Sequence, residues 1–424
     1  MSQKGTLSLP AAMFININIM LGTGTFINTV ILAQHVGALG FAMYLVVGVL
    51  MFPLIWCIAK LSSLFENGNL HTFGNILGPY WGFISTWSYF IGKLGSASLS
   101  IHVFNTFLQH VSPFFATVSI LYLDLFLVGL FVLLNMFNVK TGSHIQYFFV
   151  FTKLIPLLFA IVTGLLYFDL IYIAAPHLIW TGIPSALPLS LFCCLGFEAT
   201  CSLSKQIKDS KKNGPKAIFY SFAFVILISA LYQFLFYATL GSVLSAQTNY
   251  TGAFPALIAL SAPKALRLLG PLFSAAIAIS ALGGAYGIMF SNLWNLNTLA
   301  QNFQVPFSKE FTRKNKFNVP VLCVVAEGLI CALYLIFSKG AQIPLQCTAT
   351  LACVTAYGIS VTALFKRKPS IASALGLSTC SILLGTTLFG FMKTSLVPLY
   401  LFGLILLIGT GMFYATESSK SLKQ

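Results

Sequence analysis

Charge is scarce in this chain. Asp, Glu, Lys and Arg make up 7% of the 424 residues, and only eight of those are acidic. A soluble domain carries about 25% charged residues, so the sequence lacks the polar surface that a water-facing body needs. A long disordered chain and a coiled coil also need many charges, and both are excluded. The signatures of membrane-embedded hydrolases are missing. There is no His-Glu-x-x-His and no Gly-x-Ser-x-Gly, and the six histidines are dispersed. Neither a Cys-x-x-Cys nor a zinc-ligand spacing occurs. The nine cysteines, including Cys193, Cys194 and Cys201, lie inside apolar segments and read as buried thiols without disulfides. No repeated pore loop or ring-forming charged element argues for a channel. Metals and cofactors are not expected.

Apolar side chains are abundant: 58% of residues are hydrophobic, and the mean hydropathy is +0.90. The class this leaves is an all-α polytopic membrane protein. A spanning helix takes roughly 20 apolar residues, so with short loops the chain has room for about twelve spans and no separate soluble domain. Apolar runs and their polar breaks place the spans near 10–33, 38–60, 80–108, 116–138, 144–168, 185–204, 217–243, 268–300, 319–338, 343–365, 371–391 and 395–415. The first run has one preceding lysine and no clear cleavage pattern, and reads as a retained span rather than a signal peptide.

The net charge of +15 reads as the bias of cytoplasmic loops toward Lys and Arg, not as a nucleic-acid-binding face. With a cytoplasmic N-terminus, 17 of the 23 basic residues fall on the inner side, including the cluster Lys205, Lys208, Lys211, Lys212 and Lys216. Lys264, Arg267, Lys339 and Lys393 fall outside, and Lys93 and Lys153 lie within spans. Adding or removing one span would scramble this sorting. Both termini are therefore expected in the cytoplasm, with the plasma (inner) membrane as the expected location. Asn249-Tyr250-Thr251 is a glycosylation sequon that has meaning only in a eukaryotic secretory pathway.

Two spans contain helix breakers. The first carries Leu21-Gly22-Thr23-Gly24-Thr25-Phe26 at its midpoint, and paired glycines let a backbone unwind. A close-packing helix face is the plainer alternative. The sixth span starts with Pro184 and Pro188 and runs Leu191-Phe192-Cys193-Cys194-Leu195-Gly196-Phe197-Glu198, placing a glycine beside an intramembrane carboxylate. Spans one and six correspond if the first ten spans form two repeats of five, and paired interruptions are the best sequence pointer to a transporter's substrate site. Half-helix N-termini offer free N–H groups to a carboxylate, and exposed carbonyls receive an ammonium. Gly22, Thr23, Gly24 and Thr25 are the candidates for the carboxylate. The carbonyls near Met20 and from Phe192 through Cys193 and Cys194 to Leu195 are the candidates for the ammonium.

On these residues the chain resembles the amino acid–polyamine–organocation (APC) superfamily. Gly22-Thr23-Gly24-Thr25-Phe26 is similar to that superfamily's Gly-Ser/Ala-Gly-Ile/Val-Phe. Leu61 to Gly68, Phe73-Gly74, Gly78 to Phe83 and Trp87 resemble its passage from the second span to the third. Gly196-Phe197-Glu198 and Asn213-Gly214-Pro215-Lys216-Ala217-Ile218 also match in order and spacing. Ser280-Ala281-Leu282-Gly283-Gly284 is like the eighth span of the arginine/agmatine antiporter branch.

The resemblance implies a LeuT-type fold. Residues 1–168 and 184–366 would form two inverted five-helix repeats, with residues 370–424 forming two further helices and a tail. It also implies secondary transport of amino acids or related amines, with Phe192 as an inner gate. Cys194 stands where an aromatic is common, and Ala285 stands where the antiporter branch has Trp, with Tyr286 next. That reduced aromatic lining favours neutral zwitterions over arginine.

Five ionisable residues lie in apolar spans: Lys93, Asp124, Lys153, Glu198 and Glu327. Each central charge costs roughly 2.5–3.5 kcal/mol on insertion scales, so each is expected to face a cavity or a partner. By resemblance, Lys153 stands where sodium-coupled relatives hold a cation. It is expected either to bind first-span carbonyls and exchange a proton or to form a structural ion pair. The resemblance implies that Glu198 is a proton-sensitive group or one that couples the first and sixth spans; the plainer alternative is a protonated carboxyl bonded within the bundle. Lys93 is expected either at the pore, where it would suit an acidic substrate, or paired with Glu198 or Glu327. Asp124, Glu327 and His102 read as structural. The function this favours is an amino-acid carrier, proton-coupled or an exchanger, with a polyamine antiporter as the alternative and a channel or membrane enzyme less favoured. The expected partners are a small-molecule amino acid, protons and the lipid bilayer.

Overall fold

The computed structural model describes residues 6–174, 178–248, 250–394 and 396–421. The sequon residue Asn249 lies outside them. Helices dominate, and among the described residues the only β pairings are isolated bridges such as Leu7 with Ile207.

The first apolar run is split. α1 (Leu9–Met20) starts where Ser8 accepts the Ala11 N–H and Pro10 occupies the first turn. It stops before Gly22, the N-cap of α2 (Thr23–Val36). The two pieces meet at a bend of 41°. Next come α3 (Gly40–Leu64), the short α4 (Leu70–Gly74), α5 (Pro79–Val111), α6 (Ile120–Asn135) and α7 (Val139–Tyr167). The sixth run is split as well. α8 (Ile183–Phe192) begins on Pro184 and gives way to a six-residue turn, 193–198, before α9 (Ala199–Ser202). The remainder is α10 (Ser210–Leu240), α11 (Ala253–Ser261), α12 (Leu266–Gln301), α13 (Val321–Ser338), α14 (Gln342–Arg367), α15 (Ile371–Thr394) and α16 (Val397–Ser421).

Among the described residues, eight helices are long and apolar enough to cross a membrane, and α1 with α2 makes a ninth as a broken span. α5 runs for 33 residues with a lower apolar content, because it carries the polar stretch Lys93 to Ser100. α6 is apolar but only 16 residues long.

The outer surface differs from a soluble protein's. Val49, Phe126, Leu166, Leu268 and Phe337 are exposed on it. Asn16, Asn18, Lys153, Glu198, Gln233 and Glu327 are each 0% exposed within a largely apolar interior. An apolar exterior, with the polar side chains turned inward to partners, suits a bilayer as solvent. α3 packs along α10, and α5 packs against both α12 and α14. α1 sits amid α7, α10 and α12 at the centre.

The loops sort onto two faces. On one, Leu7 donates to the Gln206 carbonyl at 2.8 Å and accepts from the Lys208 N–H at 2.9 Å. Arg367 lies 5.0 Å from the ring of Phe65 on the same face. The N-terminal segment therefore shares this lysine-rich face with the turn after α9. At the far end of α2, Ile179 N–H donates to Val36 O, and Gln34 bonds the Gln247 carbonyl at 2.7 Å.

Candidate functional site

The two breaks meet. Gly24 in the first turn of α2 lies so close to the end of α8 that a Cβ there would sit 2.8 Å from Cys193 Sγ and 3.1 Å from Phe192 Cδ1. Gly22 also approaches Gly284 of α12, since a Cβ on Gly284 would come within 3.3 Å of the Gly22 Cα. At the sixth-run break Gly196 adopts φ +132°, a left-handed conformation that only glycine takes readily. A side chain there would also collide with Ile19 at 2.6 Å.

Between the breaks lies a small, nearly closed cavity lined by Gly22, Gly24, Lys93, Ser96, Phe192 and Gly284, with Ile19, Met20, Ser100, Leu195 and Ile288 completing the wall. The space open to the centre of a water molecule is about 10 Å³, so the cavity is contracted around room for roughly one water.

The charged side chains are tied to these interruptions. Lys93 Nζ lies 3.4 Å from Glu198 Oε1. The same carboxyl oxygen accepts the Tyr89 hydroxyl at 2.7 Å, and Oε2 accepts the Gly196 N–H at 3.0 Å. Glu198 thus fastens the unwound turn to α5. Lys153 on α7 donates to the Asn18 carbonyl of α1 at 2.7 Å. Asn18 bonds Gln146 through its side chain and donates to the Gly283 carbonyl of α12 at 2.7 Å. Asn16 donates to Phe197 O at 2.7 Å and to Thr200 and Ser221, and it accepts the Thr200 N–H at 3.2 Å. α1 is therefore hydrogen-bonded to α7, α9, α10 and α12 through two positions, Asn16 and Asn18.

Over residues 7–421 the chain matches the amino acid permease family. It belongs to that family, within the APC superfamily. Like the family, the chain is a membrane permease and not an enzyme. It is 25% identical over 355 residues to isp5 of Schizosaccharomyces pombe, a protein named for the sexual differentiation process, covering 77% of this chain and 60% of that one. It is 22% identical over 347 residues to the D-serine/D-alanine/glycine transporter of Escherichia coli K12, covering 74% and 70%. The serine/threonine exchanger SteT of Bacillus subtilis is 23% identical over 352 residues, with 79% and 77% covered.

Within this permease, the structure brings Met20, Gly22, Gly24, Phe192, Leu195 and Lys93 to one cavity. Other residues named from sequence lie elsewhere. Ala285 is fully buried, and Gly284 and Ile288 line the cavity in its place. Gly284 faces Gly22, and a step of one residue turns the helix surface by about 100°, carrying Ala285 off that face. Cys193 points to Asn28 (3.5 Å) and Tyr44 (3.8 Å), and Cys194 bonds back to the Ser190 carbonyl. Thr25 is buried one step beyond the cavity wall, and its carbonyl accepts Thr29. The side chain of Thr23 is outside the described residues.

Lys93 does not pair with Glu327, whose carboxyl oxygens have no hydrogen-bond partner among the described residues. Asp124 is engaged away from the cavity by His102 at 2.8 Å and Asn105 at 2.7 Å. Among the described residues, no group of three or more His, Cys, Asp or Glu could hold a metal ion. All nine cysteines are free thiols. The asparagines of α1 escaped the sequence reading. Their signal was present in Ile15-Asn16-Ile17-Asn18-Ile19, two amides in an otherwise apolar run that a helix turns toward different neighbours.

Proposed function

We propose that this permease is a secondary active transporter of small neutral amino acids that works by alternating access. Twelve spans would carry it. α5, α6 and the interrupted pair α8–α9 join the nine apolar spans, arranged as inverted five-helix repeats over 1–168 and 184–366 with residues 370–424 outside them. The observation that carries the reading is the meeting of two helix interruptions at one cavity, with Gly22 and Gly24 on one wall and Phe192 and Leu195 on the other. Backbone freed from helix bonding inside a membrane is tolerated where it serves a cavity, and its N–H and carbonyl groups suit the two charges of a zwitterion.

Neutral substrates are favoured because Lys93 already has its counter-charge in Glu198, 3.4 Å away. An acidic substrate would have to compete for that ammonium. A close approach of Gly22 to Gly284 leaves little room for a bulky side chain. Two of the relatives are named for glycine, alanine, serine or threonine. Phe192 gates the cavity. Lys153 and Glu198 link protonation to the position of α1 and of the unwound turn, since both hold groups that must move when the cavity opens. Both termini and the lysine-rich loops face the cytoplasm of a plasma membrane.

Purified protein in liposomes loaded with unlabelled serine, alanine or glycine is expected to take up labelled serine faster than empty liposomes do. An imposed pH gradient tests whether protons drive net uptake. Lys153→Ala is expected to fold yet lose at least tenfold in rate or lose its pH dependence, and a wild-type rate and pH profile would remove Lys153 from the mechanism. Stimulation by putrescine and by no amino acid would replace this reading with amine antiport.

A further inference from the structure

A second, larger cavity opens on the lysine-rich face, about 230 Å³ in volume and distinct in its lining from the central one. Its walls come from the loop before α4 (Asn67, Asn69), from α9 and the turn after it (Ser202, Lys205), from the end of α12 (Trp294, Asn297, Thr298, Gln301) and from Lys314 before α13. Two lysines line it and no carboxylate does: Glu66, Asp209 and Glu310 are absent from its walls. The site is rich in donors. Four amide oxygens on its wall are already engaged: Gln301 Oε1 accepts Lys205 at 2.6 Å, Asn297 Oδ1 accepts Gln301 at 2.8 Å, Asn69 Oδ1 accepts the Thr72 N–H at 2.9 Å and Asn67 Oδ1 accepts Ser210 at 3.4 Å. Two further donors on the wall have no partner among the described residues, the Ser202 hydroxyl and the Trp294 indole N–H, and both residues are more than nine-tenths buried.

Buried donors left unpaired are costly, and two cations without a counter-charge repel each other. Burial and the neighbouring Lys314 hold the Lys205 ammonium below its usual range. One kind of ligand answers all of these features together.

We propose that this cavity binds a small oxyanion, a carboxylate or a phosphate, held by Lys205 and Lys314 and hydrogen-bonded by Ser202 and Trp294. The inference rests on the pocket's own chemistry and stands apart from the transport reading. An amino acid leaving the central cavity would present such a carboxylate. A lipid headgroup or free phosphate would present the other form of the same chemistry.

The test is thermal unfolding of the full-length protein in detergent, titrated with sodium phosphate or sodium acetate against sodium chloride at equal ionic strength. A ligand bound only by the folded state raises the midpoint saturably, and a rise of about 2 °C or more over chloride is expected for at least one of the two anions. Lys205→Gln/Lys314→Gln is expected to abolish the rise, and Ser202→Ala to shift its half-saturation to higher anion concentration. Acetate acting as well as phosphate identifies a carboxylate site. Phosphate acting alone identifies a phosphate site, and repeating the titration in nanodiscs of phosphatidylglycerol and of phosphatidylcholine separates a lipid headgroup from the free ion. Should the double variant unfold in chloride, Lys314→Gln alone, at an exposed loop position, carries the comparison. No saturable rise with either anion, or a rise undiminished in the lysine variants, overturns the proposal.

Discussion

At the scale of single residues, the buried ion pair Lys93–Glu198 decides how far the central cavity is polarised. Removing one member of such a pair leaves the other charge uncompensated and costs about 3–5 kcal/mol, whereas removing both together is far cheaper. Glu198→Gln keeps the shape: its carbonyl oxygen can accept the Gly196 N–H, but its amide nitrogen must donate to the Tyr89 hydroxyl instead of accepting from it, so its cost combines the lost charge with one reversed hydrogen bond. Lys93→Met and Glu198→Gln are each expected to lower the unfolding midpoint and to cut transport strongly. The double variant is expected to be more stable than the sum of the two single losses implies, with a coupling energy of about 0.5–3 kcal/mol. Strict additivity in a double-mutant cycle would mean that the 3.4 Å approach carries no net interaction. The charged members of this network were legible in the sequence because a charge inside an apolar run is rare and expensive. Asn16 and Asn18 were not, although they make more hydrogen bonds to neighbouring helices than either lysine makes. An uncharged amide costs less to bury than an ion, so its presence in a span signals less.

At the scale of elements, the site is a product of two helices that stop. Gly22 and Gly196 mark the interruptions, and both were readable from the sequence because no other residue offers the same conformational freedom. How α12 is rotated about its axis was not readable. Its face to the cavity is set by the near contact of Gly22 with Gly284, a tertiary fact with no trace in local sequence. Gly196→Ala is doubly penalised, by φ +132° and by a contact at 2.6 Å with Ile19, and it is expected to lower stability by more than 1 kcal/mol as well as to stop transport. Gly24→Ala is different in kind. Its backbone is helical, so the added methyl only wedges α2 from α8 against Cys193 and Phe192. It is expected to leave the unfolding midpoint within a few degrees of wild type and to reduce uptake about tenfold or more. Wild-type uptake by Gly24→Ala would show that the two broken elements need not close against each other.

At the scale of the whole molecule, the exposure pattern and the charge pattern state the same constraint from two directions. Apolar side chains such as Val49, Phe126 and Phe337 form the outer wall, and the basic loops gather at one end of it. The N-terminal strand-like contact of Leu7 with Gln206 and Lys208 ties two distant parts of the sequence to that end. A sidedness test follows that needs little engineering, because eight of the nine native cysteines are buried and Cys347 is only partly accessible. Lys211→Cys lies in the first turn of α10 on the lysine-rich face, and Lys264→Cys lies beyond α10 toward the start of α12. If an odd number of membrane crossings separates them, a membrane-impermeant maleimide added to intact cells is expected to modify Lys264→Cys and spare Lys211→Cys. Inside-out vesicles are expected to reverse the pattern. Labelling of both from the same side would place an even number of crossings between positions 211 and 264, remove one span from the proposed twelve and break the inverted repeat. Labelling of Lys211→Cys alone from outside would keep the span count and turn the whole molecule over, so that the oxyanion pocket would face the exterior.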